Sequence, residues 1–132
     1  MPDKWIAVAG ALLAAAGVGL GAFGAHGLDD FLRKQGHEAD LAKRAAWFET
    51  AVRYQLVHAL GMLVVAAIAR GQTSRGHRAT AALFLLGVAL FSGSLYAMTF
   101  AGEAWQKLGM VTPLGGLALI AGWLVLAIAA AK

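Results

Sequence analysis

Apolar residues in this chain come in long unbroken runs. Trp5–Ala25, Ala79–Ala101 and Leu108–Ala131 contain no Asp, Glu, Lys or Arg. A helix rises 1.5 Å per residue, so crossing about 30 Å of hydrocarbon takes roughly 20 residues. Each run meets that length. A fourth run, Ala45–Ala69, is apolar in its second half but carries Glu49, Arg53, Gln55 and His58 in its first. Backbone left unpaired in hydrocarbon is too costly for lipid-exposed loops to cross. The pattern predicts an all-α integral membrane bundle of four transmembrane helices, over about 5–25, 45–70, 79–101 and 113–131. They run up-down-up-down in one domain, residues 1–132. The first run exceeds the ~7–15 apolar residues of a signal peptide, so it reads as a span and not a cleaved leader.

The connections are polar and short. Between His26 and Arg44, Leu28, Phe31 and Leu32 share one helical face, with Asp29–Arg33 and Asp30–Lys34 at i,i+4 spacing. This predicts a short amphipathic helix at the membrane interface, ended by Gly36. Helical pattern resumes from Glu38, with Asp40 and Arg44 at i,i+4, so the second span is expected to begin outside the membrane. Arg70 to Arg78 is a basic turn without an acid. Thr112-Pro113 reads as N-cap then first helical residue. Trp5, Trp47 and Trp105 fall near span ends, where interfacial aromatics concentrate. Trp123 falls mid-helix and reads as packing.

Composition sharpens this picture. Hydrophobic residues make up 60% and charged residues 14%, against roughly 25% charged in an ordinary soluble domain. A soluble fold would lack polar cover. The formal net charge is +4, but the cations sit singly at the ends of apolar runs and form no basic helix face. They read as anchors and contacts to membrane lipids, not to nucleic acid. Cations divide evenly between the two sides. The acid-free cluster at Arg70, Arg75 and Arg78 tips the expectation towards cytoplasmic termini. The chain has no cysteine, so thiolate chemistry and cysteine metal sites are absent.

Close helix packing in lipid requires small residues. Gly10, Ala14, Gly17, Gly21 and Gly24 form a smooth stripe on the first span. Ala89, Gly93, Ala97 and Ala101 form one on the third, and Gly115, Ala118 and Gly122 one on the fourth. Ordinary packing within the bundle explains them. The sharper alternative is that one stripe is a homo-oligomer face.

Polar residues inside the spans collect in one half. His26 ends the first span. Glu49, Arg53, Tyr54, Gln55 and His58 open the second, Ser92, Ser94, Tyr96 and Thr99 close the third, and Thr112 opens the fourth. The topology puts all of them on the side opposite the termini, with His58 near the midplane. Ionisable groups in a span are expensive and persist when paired or wet. Each has a bland reading: Glu49–Arg53 as a pair that sets helix depth, His58 as a neutral interhelix bridge, the hydroxyls as packing hydrogen bonds. The sharper reading is a polar pocket open to one side. No HExxH, phosphate-binding glycine loop or GxSxG occurs, and the four histidines are too dispersed for a metal site. No cofactor is implied.

Several motifs carry a family likeness. Gly21-Ala22-Phe23-Gly24-Ala25-His26-Gly27-Leu28, then Trp47, Thr50-Ala51, Tyr54-Gln55 and His58-Ala59 follow in order. Phe91-Ser92-Gly93-Ser94-Leu95-Tyr96, Leu108-Gly109, Thr112-Pro113-Leu114-Gly115-Gly116 and Gly122-Trp123 complete the set. The chain resembles the YgdD-like small membrane proteins, the family of domain of unknown function 423, over nearly its whole length. The resemblance implies a bacterial inner-membrane protein and no particular activity. Its motifs fall on the polar half already identified. Three readings follow. The first is a non-enzymatic, self-associating structural or binding protein with a one-sided polar pocket. The second is a small-solute channel or transporter. The third, ranked last, is a membrane enzyme using His58 and Glu49 as acid and base.

Overall fold

The computed structural model describes residues 3–132. Helix α1 runs Lys4–His26, α2 Leu28–Lys34, α3 Leu41–Ile68, α4 Arg75–Phe100 and α5 Thr112–Ala130. A 3₁₀ helix, Glu103–Met110, leads into α5. No strand occurs among the described residues. By length and composition, α1, α3, α4 and the 3₁₀–α5 unit can each cross a membrane.

Helices α3 and α4 start earlier than their apolar runs do, and for α4 a cap explains why. Ser74 caps α4: its Oγ accepts from the His77 backbone N–H at 3.2 Å, while His77 Nδ1 accepts from the Ser74 N–H at 3.1 Å. This is a capping box with histidine in the acidic position. Helix α2 ends as its sequence predicts. Gly36 takes φ +82°, and His37 N–H donates to Leu32 O at 3.0 Å, the closure of a glycine-ended helix. Leu28 and Leu32 of α2 are buried, while Phe31 packs edge-on between Phe23 and Phe100. The expected Asp29–Arg33 and Asp30–Lys34 pairs do not form. Arg33 instead lies 3.8 Å from Glu38, which the turn brings back towards it. Thr112 does not cap α5, because α5 already includes it and its hydroxyl is drawn to Ser94.

Neighbours in sequence are neighbours in space. Helix α1 packs on α3, α3 on α4 and α4 on α5, with marginal contact between α3 and α5 and no shared α1–α5 interface. The bundle is therefore an open row, and its outer helices keep most of their surface for lipid. The main core joins Ile6, Met62, Val65, Phe84, Leu119 and Leu126 across the row.

Glycines set how closely the row packs. A Cβ on Gly17 would fall 2.6 Å from Leu56 Cδ2, and one on Gly115 only 2.8 Å from the backbone Cα of Phe91. Gly10, Gly24 and Gly122 likewise face a neighbouring helix, and Gly21 touches Val52. The stripe on α4 corrects the sequence reading. A Cβ on Gly93 would meet nothing within 4 Å, and Ala89 is exposed. The buried face of α4 runs through Phe84, Gly87, Val88, Ser92, Leu95 and Thr99. Gly93 lies one residue, about 100° of helix, away from it. Gly87, packed against Leu119, has the role expected of Gly93.

Candidate functional site

The polar residues of the half opposite the termini do not converge on one cavity. Most of the buried ones are spent in hydrogen bonds that tie one helix to another. Gln55 is buried between α1 and α4: its amide N–H donates to Leu13 O at 2.9 Å, and its Oε1 accepts from the Tyr96 hydroxyl at 2.8 Å. Ser92 donates to Ala51 O at 2.7 Å, joining α4 to α3. Ser94 and Thr112 share a 2.6 Å hydrogen bond that joins α4 to α5. A buried polar group without a partner is costly, so each side chain takes a nearby carbonyl or hydroxyl instead of lining a common space. This separates residues that the sequence reading grouped as one pocket.

His58 bridges the middle of the row. Trp123 on α5 donates its indole N–H to His58 Nε2 at 3.0 Å. An indole can only donate, so Nε2 must accept and the ring proton must sit on Nδ1. That nitrogen lies 2.7 Å from Tyr54 O, an acceptor. Both ring nitrogens are thus satisfied in a neutral imidazole, and Phe84 packs edge-on against it at 5.2 Å. A second proton would force Nε2–H against the indole N–H.

Arg44 is the deepest charge in the molecule, 1% exposed. Its Nη1 donates to Met98 O at 3.1 Å, Thr99 O at 2.9 Å and Ala101 O at 2.7 Å. These carbonyls end α4, where the helix leaves acceptors unpaired and partial negative charge accumulates. Nε lies 2.9 Å from Asp40 Oδ1, close enough for an ion pair though not aligned for a hydrogen bond. The Arg44 guanidinium beside it holds the Asp40 carboxyl below its usual value of 3.8. The start of α3 therefore clamps the end of α4.

Glu49 and Arg53 differ from all of these. Their side chains are 73% and 67% exposed, and Arg53 Nη2 donates to Glu49 Oε1 at 2.8 Å. They line a half-open groove of about 510 Å³ between α1, α2 and α3. Gly21, Gly24 and Ala25 line the α1 wall, and Phe48, Val52 and Leu56 the α3 wall. Gly24 and Gly21 let Phe48 and Val52 of the α3 wall lie directly against α1. His26 is exposed and does not line the groove. Tyr54 is 40% exposed, stacked on Phe91 at 4.2 Å.

The half nearer the termini is not wholly apolar. His77 and Thr80 are buried there, and His77 Nε2 and Thr80 Oγ1 have no hydrogen-bond partner among the described residues. On the same side Asp3 pairs with Arg78 and its backbone N–H donates to Thr73 Oγ1 at 3.0 Å, tying the start of α1 to the α3–α4 turn. Among the described residues no three His, Asp or Glu lie close enough to hold a metal ion.

Sequence reasoning missed two central residues. The pattern gives Arg44 only as the end of the first connection and the i,i+4 partner of Asp40. Trp123 was assigned to packing alone. The missing signal was depth. The second and fourth spans run parallel, and Trp123 lies as many residues beyond Thr112 as His58 lies beyond Trp47, which puts the two side chains at similar depth.

Residues 20–116 match the family model described as Protein of unknown function (DUF423). UPF0382 membrane protein YwdK of Bacillus subtilis is 42% identical over 130 residues, 98% of each chain. UPF0382 membrane protein SH2409 of Staphylococcus haemolyticus is 42% identical over 129 residues, 98% of this chain and 97% of the relative. UPF0382 inner membrane protein YgdD of Escherichia coli is 33% identical over 116 residues, 87% of this chain and 80% of the relative. No solved structure matches.

Proposed function

This chain belongs to the DUF423 family, and from that premise we propose that it is a non-catalytic membrane binding protein whose site is the groove between α1, α2 and α3. The observation that carries this reading is a division of labour. Gln55, His58, Ser92, Ser94, Tyr96 and Thr112 are taken up in bonds between helices or to backbone. Glu49 and Arg53 keep most of their surface open beside an apolar groove. The first set suits a scaffold and the second a binding edge. A neutral His58 with both nitrogens engaged suits neither an acid–base catalyst nor a proton carrier. The groove is half open and lined mainly by apolar side chains, which suits a hydrophobic or amphiphilic molecule. The acid-free turn at Arg70, Arg75 and Arg78 supports placing both termini on the cytoplasmic side of the cell membrane, and the inner-membrane description of YgdD supports that compartment.

The test fills the groove. Ala25→Trp adds bulk at an exposed lining position. The expected result is an unchanged melting temperature with loss of the hydrophobic material that solvent extraction recovers from purified wild-type protein. Equal recovery from both proteins refutes the reading. Self-association is supported by Gly93, whose surface is open to a second helix. Gly93→Leu is expected to abolish the oligomer seen by light scattering without lowering the melting temperature. A wild-type monomer removes that part of the reading.

A further inference from the structure

We propose that the groove takes a zwitterionic phospholipid of the ethanolamine type, its ammonium on Glu49 and its phosphate on Arg53. This rests on the reading of the groove as the binding site.

The argument starts from depth. Helix α3 runs Leu41–Ile68. Counting roughly 20 residues of hydrocarbon back from Ile68 puts the membrane boundary at about Glu49. Arg53 follows one turn deeper, about 6 Å at 1.5 Å per residue. The pair is therefore ordered along the membrane normal, acid outside and base inside. A phospholipid headgroup has a matching order: its phosphate lies nearer the glycerol and its ammonium reaches towards water. A charged side chain facing lipid at this depth is costly unless partnered, and a headgroup drawn against the pair supplies both partners.

Free hydrogen-bonding capacity points the same way. A guanidinium has five N–H donors, and among the described residues Arg53 spends one of them, on Glu49 Oε1. The remaining fork suits a phosphate. Glu49 accepts that bond through Oε1, and its Oε2 has no partner among the described residues. Beside the charges Gly21 and Val52 line the groove, and below them Leu56 does, which gives an apolar surface for the start of an acyl chain. An anionic lipid would satisfy Arg53 but set its own charge beside Glu49. The order of charges therefore selects a zwitterion.

The test is native mass spectrometry of the full chain in mild detergent, with equal amounts of phosphatidylethanolamine and phosphatidylglycerol added. Wild type is expected to keep the ethanolamine lipid at least several-fold over the glycerol lipid. Glu49→Gln should bring that ratio close to one, and Arg53→Gln should reduce both adducts several-fold. Because both side chains are mostly exposed, the variants should melt as wild type does. The exchanged pair Glu49→Arg with Arg53→Glu keeps an ion pair on α3 but reverses its order, and should lose the ethanolamine preference. If the exchanged protein keeps it, the pair is only a depth anchor and the proposal is overturned. If wild type prefers phosphatidylglycerol and Arg53→Gln abolishes that adduct, the zwitterion proposal fails while the groove reading survives. If no adduct depends on either residue or on Ala25→Trp, both fail.

Discussion

Replacing Arg44 by methionine tests the structural half of this account. The methionine has comparable bulk but no donor, so the perturbation removes charge and hydrogen bonds while largely retaining packing. Arg44 reaches three backbone carbonyls at the end of α4, at 2.7–3.1 Å, and stands beside Asp40 at 2.9 Å. Hydrogen bonds to a charged donor are worth about 1.5–3 kcal/mol each, but one nitrogen shared among three acceptors does not give three times that value. Removing one partner of a buried charge cluster costs about 3–5 kcal/mol, and that range is the expectation here. On soluble-domain scaling one kcal/mol shifts the melting temperature by about 2–8 °C at such sizes, so the loss should be at least about 6 °C. The assay is thermal unfolding in mild detergent, with hydrogen exchange read peptide by peptide. Protection should fall first in Leu95–Ala101. Arg44→Lys should recover part of the stability, since a point charge cannot span the same carbonyls. A change below about 1 kcal/mol, with unaltered exchange at the end of α4, refutes the clamp.

Other expectations follow from the same geometry. Because the folded carboxyl of Asp40 lies below its usual value, its pairing with Arg44 stabilises the fold fully above about 3.8. That stability is lost as pH falls through the lower, folded value. Wild type should therefore lose its advantage over Asp40→Asn on acidification below pH 4, and parallel pH profiles contradict this. Trp123→Phe leaves His58 Nε2 without its donor and should cost about 1–3 kcal/mol. A double-mutant cycle with His58→Phe should return most of that as coupling. Gly115→Ala puts a methyl against the Phe91 backbone and should cost about 1–3 kcal/mol or more. Gly93→Ala meets open space and should leave melting unchanged or slightly raised.

What was legible in the sequence is what depends on local pattern. Long uncharged runs specify helical spans, because a helix pairs its backbone within the segment itself. Gly36 ends α2 because only glycine enters that conformation cheaply. The side on which Gln55, His58 and Ser92 lie follows from counting turns. Which partner each side chain finds was not legible. Gln55 meets Leu13 O through an approach that Gly17 permits, and Ser92 meets Ala51 O across another interface. Such choices depend on helix rotation. Gly93 shows the same limit: spacing located a smooth stripe, but one residue of rotation turns it from the core to the outside. Arg44 read as an interfacial cation because burial of a charge becomes visible only once the end of α4 stands beside it.

The central claim is that buried polar residues hold the row together while Glu49 and Arg53 bind. Gln55→Leu and Arg53→Gln, compared by melting and by native mass spectrometry with phosphatidylethanolamine, test it most directly. The account predicts that Gln55→Leu melts lower yet retains the lipid while folded, and that Arg53→Gln melts as wild type does and loses it. The reverse assignment, lipid lost with Gln55→Leu at unchanged stability and retained by Arg53→Gln, contradicts the account.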